Sequence, residues 1–167
     1  GVPLAHKDLF YRDGKRTTCA SKVLGDLMPD YDATVLRRLS DAGALHLGGL
    51  NMSELAIGAA GRNEHFGHCR NPWDPNHITG GSSSGSGAAV ASRMVFGALG
   101  TDTGGSIRIP STMCGIVGIK GTFGRVSRHG VMPVSYSLDN VGPMTRTVED
   151  CARIMGVIAG SDPNDPL

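Results

Sequence analysis

Glycine is the most constraining feature of this sequence. It fills 25 of 167 positions, about twice the usual share of roughly 7%. Much of it gathers in two clusters, TGGSSSGSGAAV (79–90) and TDTGGSIRIP (101–110). Glycine loses more backbone freedom on folding than any other residue, so dense clusters imply tight turns and close backbone approach. A Gly/Ser run read in isolation is a flexible linker. A linker, however, divides two composition regimes, and both flanks here carry the same mixture of helix-like and strand-like patterns.

Those patterns describe an α/β chain. Val2 to Leu4 and the run to Phe10 read as a strand or buried edge bracketing Lys7 and Asp8. Asp32 is placed to cap a helix over 33–44, with Val35, Leu36, Leu39 and Ala42 on one face. LHLG (45–48) resembles a short buried strand. The polar stretch 63–79, with NPWDPN inside it, is loop, and Ala88 to Ala98 has helical composition. Residues 98–101 form a candidate strand ending at the second glycine cluster, GIVGIK (115–120) a buried strand, and 124–127 an extended segment. Thr147 and Asp150 make a capping pair for a last helix whose apolar set is Val148, Cys151, Ile154, Met155 and Ile158. Helix alternating with strand favours a layered α/β fold, and 1–167 reads as one continuous domain.

Composition narrows the function classes. A net charge of +1 advertises no nucleic acid partner. No apolar run approaches the roughly 20 residues that cross a bilayer, so no membrane partner is expected. The four cysteines form no C-x-x-C pair and read as reduced thiols of a cytoplasmic protein.

Three chemical readings compete for the clusters. Walker A and dinucleotide fingerprints are both missing. Residues 81–85 spell G-x-S-x-G around Ser83, but a nucleophile elbow needs a strand before it, and NPWDPNHIT is not one. His129 would be the only downstream histidine for such a triad. His65-x-x-His68-Cys69 invites a metal reading, yet His77 or Cys114 would have to complete it from elsewhere, so no metal site is expected.

A third reading joins both clusters to Lys7. GGSSSGSGAAVASR (80–93) and GTDTGGSIRIPSTMCGIVGIKGTFGRVS (100–127) resemble the amidase signature family of serine hydrolases. So do GVPLAHKD, TTCASKVL, YDATVLRRLSDAGA, LNMSELAIG and NPWDP, almost end to end. The resemblance implies an α/β/α sandwich around a mixed β-sheet, of which 1–167 would be the core of a domain truncated at both ends. It implies a triad of Ser106 as nucleophile, Ser82 as bridging serine after a cis peptide from Gly81, and Lys7 as base. The N–H groups of Thr103, Gly104, Gly105 and Ser106 would form an oxyanion hole. Gly81, Ser83, Asp102 and Arg108 would support it, the last two as an ion pair. Ser84 and Gly87 depart from commoner Gly and Ala without touching a triad position.

The expected reaction is amide hydrolysis through a Ser106 acyl-enzyme, with a small-molecule amide substrate, no cofactor, and a homodimer left open. Lysine acts as a base only when neutral, far below its ordinary pKa of about 10.4, and burial without a carboxylate partner achieves this. Asp8, adjacent on an extended segment, should point the other way. Two alternatives stand beside this. One is the glutaminase subunit of a tRNA-dependent amidotransferase, which usually reads NMDE where this chain has NMSE. The other is a catalytically silent fragment or binding module.

Overall fold

The computed structural model describes residues 1–166. Its strands are β1 (Val2–Lys7), β2 (Ala44–Leu50), β3 (Gly97–Asp102), β4 (Val117–Gly118) and β5 (Asn140–Thr145). Its α-helices are α1 (Thr34–Asp41), α2 (Ser84–Ala91), α3 (Arg108–Cys114) and α4 (Val148–Ile158). The strands join in one sheet ordered β2-β1-β3-β5-β4. β1 lies parallel to both β2 and β3, whereas β5 is antiparallel to β3 and β4, so the sheet is mixed.

Side-chain alternation along the central strands builds two cores. Leu4 and Leu99 enter the larger one with Leu36 and Leu39 of α1 and Ile158 of α4. Their neighbours Ala5 and Ala98 enter the other, with Ala89 and Val90 of α2. Successive strand residues face opposite sides, so both faces of the sheet are covered. Helices α1 and α4 pack together on one face, α2 and α3 on the other. The arrangement is the expected α/β/α sandwich.

Several local expectations need correcting. Helix α1 starts from Ala33, not Asp32, because the Asp32 carboxylate accepts the N–H of Asp13 instead. β2 is an edge strand and not a buried one, with Leu45 and Leu47 exposed. Of GIVGIK only Val117–Gly118 is strand, again at an edge and only partly buried. In α4, Thr147 accepts the N–H of Asp150 as expected, but Val148 faces outward. Nothing in the patterning predicts β5, which is buried throughout. Its NVGPMT sequence breaks the usual strand composition with Gly142 and Pro143. No helix among the described residues is long and apolar enough to cross a membrane.

The glycine of β5 is a packing requirement. A Cβ at position 142 would overlap the carbonyl oxygen of Ile119. Gly142→Ala should therefore cost about 1–3 kcal/mol, the range for overpacking a tight interior, read as a lowered urea midpoint. An unchanged midpoint would mean that 115–120 yields freely.

Candidate active site

Lys7 is the last residue of β1 and is fully buried. Its Nζ donates to Ser82 Oγ at 2.6 Å and to Thr101 Oγ1, on β3, at 2.9 Å. Among the described residues no carboxylate is within ion-pair distance of it. Asp8 is engaged by the N–H and hydroxyl of Thr18, at 3.1 and 2.5 Å. Burial penalises the ammonium form and pulls the Lys7 pKa down from 10.5 to about 7, against a raising influence from the Cys19 thiol and the Asp139 and Asp102 carboxylates. The unfolded chain therefore holds more protons than the folded one between about 7 and 10.5. Through Lys7 alone, folding becomes more favourable as pH rises across that window.

Ser82 is reached through the first glycine cluster, which is buried structure and not a linker. The Gly81–Ser82 peptide is cis. A Cβ on Gly81 would lie 2.7 Å from Gly61 N and from Ser53 Oγ, so only glycine fits this approach. Helix α2 begins inside the serine run, earlier than composition suggests, and Ser83, Ser84 and Ser86 are all buried. Ser83 Oγ donates to Thr101 O at 3.3 Å, and Ser86 Oγ to Leu99 O at 3.0 Å. Two serines nearly one turn apart thus meet carbonyls two residues apart on β3. Ser83 is consumed in this docking. His129 stacks on Tyr31 at 5.0 Å, and the Ser83 hydroxyl is bonded to a β3 carbonyl and not to that ring, so the G-x-S-x-G match builds no elbow.

The second glycine cluster is a loop wrapped around one carboxylate. Asp102, fully buried at the end of β3, accepts the N–H of Gly105 at 2.8 Å, of Ile107 at 3.1 Å and of Arg108 at 3.2 Å. Arg108 adds a two-pronged ion pair, Nε and Nη2 each at 3.0 Å. Burial alone would raise the Asp102 pKa, but these hydrogen bonds and the guanidinium hold it below the ordinary carboxylate value. Gly105 has φ of +137°, which an L side chain rarely adopts.

The oxyanion expectation changes in one member. The Gly105 N–H is taken by Asp102. Those of Thr103, Gly104 and Ser106 have no acceptor among the described residues. Ser106 is half-buried just before α3, and its carbonyl accepts the N–H of Ser83 at 3.3 Å, laying the two clusters side by side. The Ser82 and Ser106 hydroxyls are not hydrogen-bonded to each other here; the direct tie is Lys7–Ser82. Sequence reasoning missed Thr101 and Asp139. Asp139 accepts the Thr103 hydroxyl, and both Thr101 and Asp139 line a cleft of about 390 Å³ shared with Tyr11, Tyr31, His129 and Val134.

The remaining candidates do not converge. His65 meets Glu54 and His68 meets Glu64. Among the described residues no three or more His, Cys, Asp or Glu side chains cluster as a metal site would require. All four cysteines are free. Trp73 lies on the surface, its indole N–H held by Cys114 O at 2.8 Å.

Comparison with known proteins places this geometry among relatives. The model of the family described as Amidase matches residues 1–167. Over 165 residues the chain is 54% identical to a glutamyl-tRNA(Gln) amidotransferase subunit from Geobacter sulfurreducens, covering 99% of this chain and 34% of that protein. The chain therefore spans about a third of the length of its curated relatives. Among solved structures, the corresponding glutamyl-tRNA(Gln) amidotransferase subunit from Thermotoga maritima superposes with a TM-score of 0.95 at 47% identity, over 98% of this chain and 36% of that one. The peptide amidase of Stenotrophomonas maltophilia gives 0.94 at 43%, over 98% and 34%.

The Asp102 ties generate a stability prediction. Asp102→Ala removes a buried carboxylate that organises three backbone N–H groups and a guanidinium. Loss of about 3 kcal/mol is expected, the lower end for breaking a buried pair, measured by denaturant unfolding. A change below about 0.5 kcal/mol, the surface-substitution range, would contradict a structural role.

Proposed function

The chain belongs to the amidase family, and from that premise we propose that it is the catalytic core of an amidohydrolase acting on a small carboxamide. The observation that carries the proposal is Lys7: buried, with no ion-pair partner among the described residues, and 2.6 Å from a buried serine hydroxyl. An amine so placed is neutral over much of the physiological range and is a competent base.

In this reading Ser106 is the nucleophile, Ser82 the relay and Lys7 the base. A hydroxyl both donates and accepts, so Ser82 passes a proton to Lys7 as it takes one from Ser106. The Ser106 oxygen attacks the amide carbon, and the oxygen of the tetrahedral intermediate takes its negative charge toward the free N–H groups of Thr103, Gly104 and Ser106. Collapse breaks the C–N bond while the relay returns the proton to the departing nitrogen, releasing ammonia or an amine. Water then attacks the acyl-enzyme by the same route, freeing the acid and Ser106. Every proton has a protein carrier, so the scheme calls on no metal or organic cofactor. Asp102 and Arg108 hold the loop and exchange no proton. Residues 1–167 act as the core of one domain, in a protein we place in the cytoplasm.

The second reading is the glutaminase subunit of a tRNA-dependent amidotransferase, favoured by the 54% identity to a glutamyl-tRNA(Gln) amidotransferase subunit. It requires protein partners. Ammonia release from L-glutamine that depends on partner subunits and ATP would select it; release by the protein alone from simple amides would select the amidohydrolase.

Three outcomes are expected of the protein expressed from its complete reading frame. A fluorophosphonate probe should label Ser106, and Ser106→Ala should abolish the labelling; labelling that persists would sink the nucleophile assignment. Lys7→Ala should lower kcat/KM by about 10²–10⁴, the usual share of a general base. In the parent, kcat/KM should climb with pH through an acid limb near the Lys7 value of about 7 and level off above it, because only the neutral amine accepts a proton. A profile that falls with pH across that region would be incompatible with Lys7 as base.

A further inference from the structure

The crest of the second glycine loop has little of its own to hold it in place. Gly104 is exposed, and a Cβ built there would meet nothing within 4 Å. Glycine supplies no side chain to anchor such a segment, so its orientation depends on what grips its ends. The far end is gripped by Asp102, through the N–H groups of Gly105, Ile107 and Arg108. The near end is Thr103, whose hydroxyl donates to Asp139 Oδ1 at 2.5 Å. Between these two ties lie the unbonded N–H groups of Thr103 and Gly104, with that of Ser106 next in line.

The pairing of Thr103 with Asp139 follows from strand register. Asp102 pairs with Asn140 in the antiparallel β3–β5 ladder. Continuing that register one step past the ladder's end would oppose Thr103 to Asp139, and opposed residues have Cβ atoms about 4.5–5.5 Å apart. That spacing suits a short hydroxyl-to-carboxylate contact. Asp139 is itself immobilised, being 9% exposed and accepting the N–H groups of Val134 at 2.8 Å and Ser135 at 2.9 Å on Oδ2. One oxygen is thus fixed by the 134–135 backbone, and the other is presented to Thr103.

We propose that Asp139 is a positioning residue, which through the Thr103 hydroxyl fixes the free N–H groups of the glycine loop where an oxyanion forms. This rests on the amidohydrolase reading above. Asp139 touches no reacting atom. It acts through Thr103, and β5 carries the constraint from the sheet to the loop.

The test is the kinetics of fluorophosphonate labelling of Ser106 in the complete protein, which separates reaction rate (kinact) from probe binding (KI). Thr103→Val, close in shape but lacking the hydroxyl, should lower kinact about 10–100-fold, part of the loss of about 10²–10³ for an oxyanion donor. KI and thermal midpoint should stay near the parent's, and Thr103→Ser should restore most of the rate. The double variant Thr103→Val/Asp139→Asn should be no slower than the slower single one, because both remove the same tie. A parental kinact in Thr103→Val, a change confined to KI, or fully additive losses would each overturn the proposal. If Asp139→Asn fails to fold, the Thr103→Val and Thr103→Ser pair decides alone. Labelling retained in Ser106→Ala would instead overturn the amidohydrolase reading, a separable result.

Discussion

Burying an amine is costly while it is charged, and Lys7 escapes that cost by giving up its proton near neutrality. Among the described residues no carboxylate compensates it at contact distance; two hydroxyls, of Ser82 and Thr101, take its hydrogen bonds instead. A carboxylate in that place would hold the lysine protonated. Much of the surroundings serves to keep carboxylates engaged elsewhere. Asp8 is satisfied by Thr18, Asp102 by Arg108 and three backbone N–H groups, and Asp139 by Thr103 and the 134–135 backbone. Three acids surround the lysine, and each is already spoken for.

Small residues make this crowding feasible. Helix α2 carries Ser-Gly-Ser-Gly-Ala-Ala-Val-Ala and packs against β1, β3, β5 and α3. A side chain at Gly85 would run into the Asn51 carbonyl. Serines are small enough to fit, and the hydroxyls of Ser83 and Ser86 are satisfied by β3 carbonyls, so burying them leaves few orphaned groups. Low bulk here is a means of bringing backbones together, which explains a composition that imitates a linker.

Legibility in the sequence followed the range of the determining forces. The α4 capping pair is local, and the expected Thr147–Asp150 bond is formed. The two faces of β1 and β3 alternate as their leucines and alanines suggest. The Lys7–Ser82 pair was reachable only because both residues stand inside long, specific motifs; spacing alone would not join residues so far apart. β5 was invisible because its glycine and proline suit a ladder position and a close approach to Ile119, not a local strand preference. Asp139 and Thr101 went unread for a related reason. An aspartate ahead of a strand and a threonine within one are common, and their meaning comes from β-sheet register.

By itself the sequence determined the residue inventory and the local rules: where glycine gathers, where the last helix is capped, which serines and which lysine stand in matching motifs. Tertiary structure decided the electrostatic state of those groups. A pKa depends on solvent exclusion and on charges brought from remote segments, and neither exists until the sheet closes. It also decided which backbone N–H groups stay free. The loop sequence offers four, and the long-range placement of the Asp102 carboxylate under the loop takes that of Gly105 and leaves those of Thr103, Gly104 and Ser106.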